Sequence, residues 1–175
     1  MFDKSVYIIE HSKLAKGHNE LEFKADKSLF DEFECEDVLN VTADVKADAV
    51  KSERLIEFKF VFSGVIETQC SRCLSPMAIP INKKTSLYVK FGEQNDMTDI
   101  SEWIIKESEN IIDLSNYIYE ELRIEIPIAP VHKHKNECNQ QMIEKLSAVN
   151  EENLKAKESE TDPRWAKLAE LKNSL

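Results

Sequence analysis

The chain has 175 residues, 42% of them hydrophobic and 32% charged, with 3 Gly and 5 Pro; this is enough for one domain with a real core and excludes fibrous and low-complexity classes. A formal charge of −10 argues against a broad surface for gripping nucleic acid, because phosphate neutralisation needs a basic face, so any RNA contact has to be local or made through a basic protein partner. No stretch approaches the ~18 apolar residues of a membrane span and the N-terminus has no signal core, so the chain reads as cytoplasmic, where cysteines serve as ligands or buried thiols rather than disulfides.

In chain order, two short β-like pieces come first, around Val6–Ile9 and Leu21–Lys24, followed by a helix-leaning patch at Lys27–Phe33. From Val38 the alternation is clear: Leu39, Val41, Ala43, Val45, Ala47 and Ala49 share one parity and form the dry face of a half-buried strand. A polar turn at Lys51–Arg54 returns the chain. The next run keeps Ile56, Phe58, Phe60, Phe62, Ile66, Thr68 and Cys70 on one side, with a bulge or bend expected at Gly64. A third run (Met77, Ile79, Ile81, Thr85, Leu87, Val89, Phe91) completes an antiparallel meander. Gly92–Ser101 is a polar loop and Trp103–Ile105 a short strand candidate. Asp113 or Ser115 then caps a helix whose apolar stripe is Leu114, Tyr117, Ile118 and Leu122, and Pro127 is expected to stop it.

The expected fold is α+β: an antiparallel sheet or partly closed barrel with a packed helix, over residues 1–138, and a helical extension over 139–175. Residues 139–160 are rich in Glu, Lys, Asn and Gln and read as a solvated helix or flexible linker. Asp162 and Pro163 open a short closing helix that places Trp165, Leu168 and Leu171 on one side, as a contact for a partner or for the protein's own sheet.

The chemistry concentrates at Cys70 and Cys73. A redox pair wants its first thiol at a helix N-terminus, and Pro76 with the β-patterned run behind it does not read as a helix. A metal pair wants a tight turn that aims two sulfurs at one point. The candidate second half is the segment VHKHKNEC, with His132, His134 and Cys138; Cys35 is an alternative ligand or a small core residue. The competing reading is a pair of buried thiols at a hairpin end with two exposed loop histidines. Phosphate loops, nucleophile elbows and His-Glu-x-x-His are missing, so the chain reads as a non-enzyme; a thiol enzyme pairing Cys73 with His132 lacks an oxyanion-hole motif. Arg72, Lys83, Lys84 and Lys90 form the one basic spot of the sheet-forming segment and are candidates for a phosphate or partner contact.

Four motifs occur in order: CSRCLSPM at 70–77, IIDLSNYIYEELRIEIPIAPVH at 111–132, the later Cys138, and DPRWAKLAELK at 162–172. Together they make the chain resemble the YceD family, the large ribosomal RNA subunit accumulation proteins. The chain departs from the family pattern in having Ile126 where Leu is usual and fewer cysteines after the proline element. The resemblance implies Zn2+ held by Cys70, Cys73, His132 and Cys138. It also implies a non-enzymatic role in synthesis, processing or accumulation of 23S ribosomal RNA, with a ribosomal protein or pre-ribosomal particle as partner and a local contact with large-subunit rRNA. The rival is a protein-interaction adaptor with a structural zinc knuckle, unrelated to ribosomes.

Overall fold

The computed structural model describes residues 3–159, with side chains over 3–149. Two compact units divide the chain: Met1–Ser71 with Pro76–Val131, and Arg72–Ser75 with His132–Leu175.

The first unit is built on the expected meander. Strands β1 (Ile8–Glu10), β2 (Gly17–Asp26), β3 (Val38–Lys51), β4 (Leu55–Gln69), β5 (Pro76–Gly92), β6 (Glu102–Lys106) and β7 (Ile111–Asp113) alternate with helices α1 (Lys27–Glu32) and α2 (Ser115–Arg123). A five-stranded sheet runs in the order β2-β3-β4-β5-β6, and β1 pairs with β7 in a separate ribbon. The pairs from β2 to β5 are antiparallel, whereas β6 runs parallel to β5, and the sheet is open rather than a barrel. The parallel step depends on the loop before β6, where the Asp96 carboxylate accepts from Thr98 and the Asp99 carboxylate from Ser101. These two side-chain turns bring the chain back to the level of Tyr88 before it enters β6.

One face of the sheet is the core. Phe58, Phe60 and Phe62 follow the strand period and are at most 1% exposed, and Phe60 meets Tyr117 of α2 with ring centroids 5.0 Å apart. Trp103 packs edge-on against the same Tyr117 at 5.8 Å. The α2 stripe of Leu114, Tyr117, Ile118 and Leu122 is fully buried, each side chain contributing about 1.5–3 kcal/mol relative to exposure. Neither Asp113 nor Ser115 is the N-cap of this helix, a position held by Leu114 without a side-chain hydrogen bond; Asp113 instead forms a local turn before it, accepting from the backbone N–H and hydroxyl of Ser115 at 2.9 and 2.6 Å.

Three local expectations are corrected. Leu39 is 40% exposed and Val38 is 1% exposed, because a register shift between Val38 and Asn40 inverts the parity at the start of β3. Gly64 pairs in unbroken register with Ala43 and Ile81. Its glycine is required by close approach, since a Cβ there would lie 2.2 Å from the Thr42 carbonyl oxygen. α2 ends at Arg123, four residues before Pro127, and closes with tight turns from Leu122 to Glu125 and from Arg123 to Ile126.

The second unit holds a 3₁₀ turn (Lys135–Glu137) and helix α3 (Gln140–Ser159). Of the two alternatives for this stretch, a helix is the one seen over Gln140–Ser159; Met142 and Ile143 are its half-buried positions through residue 149. Trp165, Leu168 and Leu171 lie outside the described residues.

Candidate metal centre

β4 delivers Cys70 at its end, and the chain then turns through Ser71, Arg72 and Cys73 before Pro76 starts β5. The turn carries one of the two positive-φ non-glycine residues among the described residues, Leu74 at φ 60°. A left-handed leucine costs about 1–2 kcal/mol, and its side chain is 59% exposed, so little apolar burial offsets that cost. The strained residue lets the chain leave the turn directly into β5 while both thiols stay buried, Cys70 at 0% and Cys73 at 2% exposure.

The 132–138 segment is shaped by local hydrogen bonds. His134 caps the 3₁₀ turn, with the Glu137 carboxylate accepting from the His134 backbone N–H at 3.4 Å. The Cys138 N–H donates to the Lys135 carbonyl at 3.2 Å. Asn139 then caps α3 by accepting from the Met142 N–H at 3.3 Å, and the Gln140 side chain donates to the Cys138 carbonyl at 2.9 Å. Cys138 is thus pinned between two helical turns, and the residue is 4% exposed.

His132 Nδ1 lies 3.6 Å from Cys73 Sγ and 3.7 Å from Cys138 Sγ. With Cys70 Sγ, the four ligand atoms all lie within 4.8 Å of one another. A tetrahedral zinc ion with metal–sulfur bonds of about 2.3 Å and a metal–nitrogen bond of about 2.0–2.1 Å needs sulfur–nitrogen edges of roughly 3.6 Å. The His132 Nδ1 edges to Cys73 Sγ and Cys138 Sγ match that value. Three thiols and one imidazole also form a soft donor set suited to zinc. Four protein ligands leave no open coordination position, which is the pattern of a structural centre.

The remaining candidates separate. His134 is exposed and serves as a helix cap. Cys35 is a buried thiol outside the group of four; it donates to the Asp37 carboxylate at 3.1 Å. Burial, with that carboxylate beside it, pushes the Cys35 thiol up. Lys83 and Lys84 point to opposite faces of β5. Lys84 is exposed, whereas Lys83 turns inward, 2.7 Å from Glu121 Oε2 and 3.2 Å from Glu125 Oε1. The Lys83–Glu121 contact is an ion pair without hydrogen-bond alignment at Oε2. Lys90 sits on the exposed side and pairs with Glu102 at 2.7 Å. Arg72 is half-buried and its Nη1 donates toward Cys138 Sγ at 3.6 Å. Sequence reasoning missed Glu121, only 5% exposed, although its place on the α2 face between Ile118 and Leu122 and its spacing from Tyr117 were available signals.

No helix among the described residues is long and apolar enough to cross a membrane. Neither a curated protein nor a solved structure matches the chain. The family model described as Large ribosomal RNA subunit accumulation protein YceD does match, over residues 58–172, and that span contains the knuckle, His132 and Cys138. With about two thirds of its length covered, the chain belongs to the YceD family of large ribosomal RNA subunit accumulation proteins.

Proposed function

We propose that the protein is a non-enzymatic cytoplasmic factor that promotes the synthesis, processing or accumulation of 23S ribosomal RNA, and that it acts by binding. The family match over residues 58–172 carries this reading. The buried Cys70, Cys73 and Cys138 with the half-buried His132 would hold Zn2+, which when bound supplies cross-linking of the knuckle to the 132–138 segment. The protein residues do the rest: Leu74 sets the exit of the turn, and the caps at His134 and Asn139 fix where Cys138 stands. The charge of −10 favours a basic ribosomal protein or a pre-ribosomal particle as partner over bare RNA. Trp165, Leu168 and Leu171 are proposed as an apolar partner contact on sequence grounds.

The test is sedimentation of the tagged full-length chain from lysate, with and without nuclease, together with large-subunit rRNA levels in cells lacking it. The expected result is co-migration with large-subunit precursors and a selective fall in 23S rRNA on deletion. A chain that stays at the top of the gradient, with unchanged rRNA on deletion, overturns the proposal.

A further inference from the structure

We infer that Arg72, inside the knuckle, is a positioning and charge-compensating partner of the metal-site thiolate at Cys138, and that it makes the centre tight and chemically inert. This inference rests on the reading of Cys70, Cys73, His132 and Cys138 as a metal centre. Its basis is the approach of Arg72 Nη1 to Cys138 Sγ at 3.6 Å. Arg72 is half-buried and Cys138 only 4% exposed, so the contact is part-buried.

The charge count gives the contact its role. Three thiolates and a neutral imidazole around a divalent cation carry one net negative charge. A charge left uncompensated in a buried site is costly, and a guanidinium beside it removes that cost. The same N–H donor draws electron density from the sulfur, and a thiolate that gives density to a donor is a weaker nucleophile. Partners of this kind, one step outside the ligands, typically set metal affinity by about 10–100-fold. Arg72 is thereby committed to the knuckle and withdrawn from the role of a phosphate contact.

The experiment uses full-length protein with its natural Arg72 and the variants Arg72→Ala, Arg72→Gln and Arg72→Lys. Three readouts are zinc affinity by competition with a chromophoric chelator, the absorption spectrum with cobalt(II), and N-ethylmaleimide labelling of each cysteine by peptide mass spectrometry. Arg72→Ala is expected to weaken zinc binding about 10-fold or more, to speed labelling of Cys138 relative to Cys73, and to move the sulfur-to-cobalt band to lower energy. Arg72→Lys, which keeps the charge, recovers more of the affinity than Arg72→Gln, which keeps only a neutral donor. A zinc-loaded Arg72→Ala protein with affinity within about twofold of the parent and unchanged Cys138 labelling overturns the inference while leaving the metal reading intact, since the affinity loss expected on removing such a partner is absent. A parent protein that takes up no zinc and whose cysteines label equally fast with and without zinc overturns the metal reading, and the role of Arg72 with it.

Discussion

Replacing Lys83 by Met tests whether this lysine is part of the folded interior or part of a binding surface. Its side chain is 20% exposed and stands 2.7 Å from the Glu121 carboxylate, itself 6% exposed, and 3.2 Å from that of Glu125. At an effective dielectric of about 20, the closer contact has a gross attraction of ~6 kcal/mol. Desolvation of the two ions takes back several kcal/mol of that, so the pair itself contributes little net stability. Removing only the lysine is different, because it leaves the Glu121 charge buried beside Glu125. Breaking a buried pair in this way costs about 3–5 kcal/mol, and the lower end applies here because Glu125 is 33% exposed and can be hydrated. Urea unfolding of Lys83→Met is therefore expected to show a loss of ~3 kcal/mol. The double variant Lys83→Met with Glu121→Leu should recover most of it, since an apolar pair of similar volume is often neutral or better. A single variant within about 0.5 kcal/mol of the parent, the ordinary surface value, would refute the reasoning. So would a double variant as unstable as the sum of the two single changes.

Further outcomes follow from the same structure. Gly64→Ala is expected to cost about 3 kcal/mol or more in urea unfolding, because its Cβ would meet the Thr42 carbonyl oxygen and Ala43 Cα at 2.2 and 2.6 Å, both backbone atoms; parental stability would show that the two strands separate easily. Burial raises the Asp113 carboxyl, but the Lys4 ammonium and the Ser115 hydrogen bonds outweigh it and hold it below the usual range. A depressed folded pKa contributes stability above the unfolded value, about 3.9, and loses it as pH falls through the lower folded value. The stability gap between the parent and Asp113→Asn should accordingly be full at pH 5–6 and shrink below about pH 4; a gap independent of pH counts against that cause. Bare duplex RNA should bind the isolated chain weakly, with a log–log salt slope shallower than about −2, and Lys84→Glu should change little; tight, steeply salt-dependent binding would show that the net charge misleads.

Legibility in the sequence followed the physics of each element. The long meander was readable because a strand with one dry face must alternate, and Phe58, Phe60 and Phe62 leave no second choice of face. The same alternation placed Lys83 inward, between Ile81 and Thr85, yet its charge suggested a surface role; its partners Glu121 and Glu125 are far away in sequence and reach it only through the packing of α2. Leu39 was misplaced because a bulge leaves no mark on composition. The parallel pairing of β6 was not legible either, since alternation defines a face and not a neighbour. At the metal centre the knuckle was plain from spacing, whereas the choice of His132 over His134 depends on the 3₁₀ turn that takes His134 as its cap.

The most direct test of the account is the metal content of the purified full-length protein, measured by elemental analysis beside its melting temperature with and without chelator. One zinc per chain and a marked fall in melting temperature on chelation, reproduced by Cys73→Ser, are expected, because metal binding to this Cys3His set is itself folding free energy. Metal content well below one per chain, with a melting temperature indifferent to chelator and to Cys73→Ser, would contradict it and leave three thiols and an imidazole packed at the end of a hairpin.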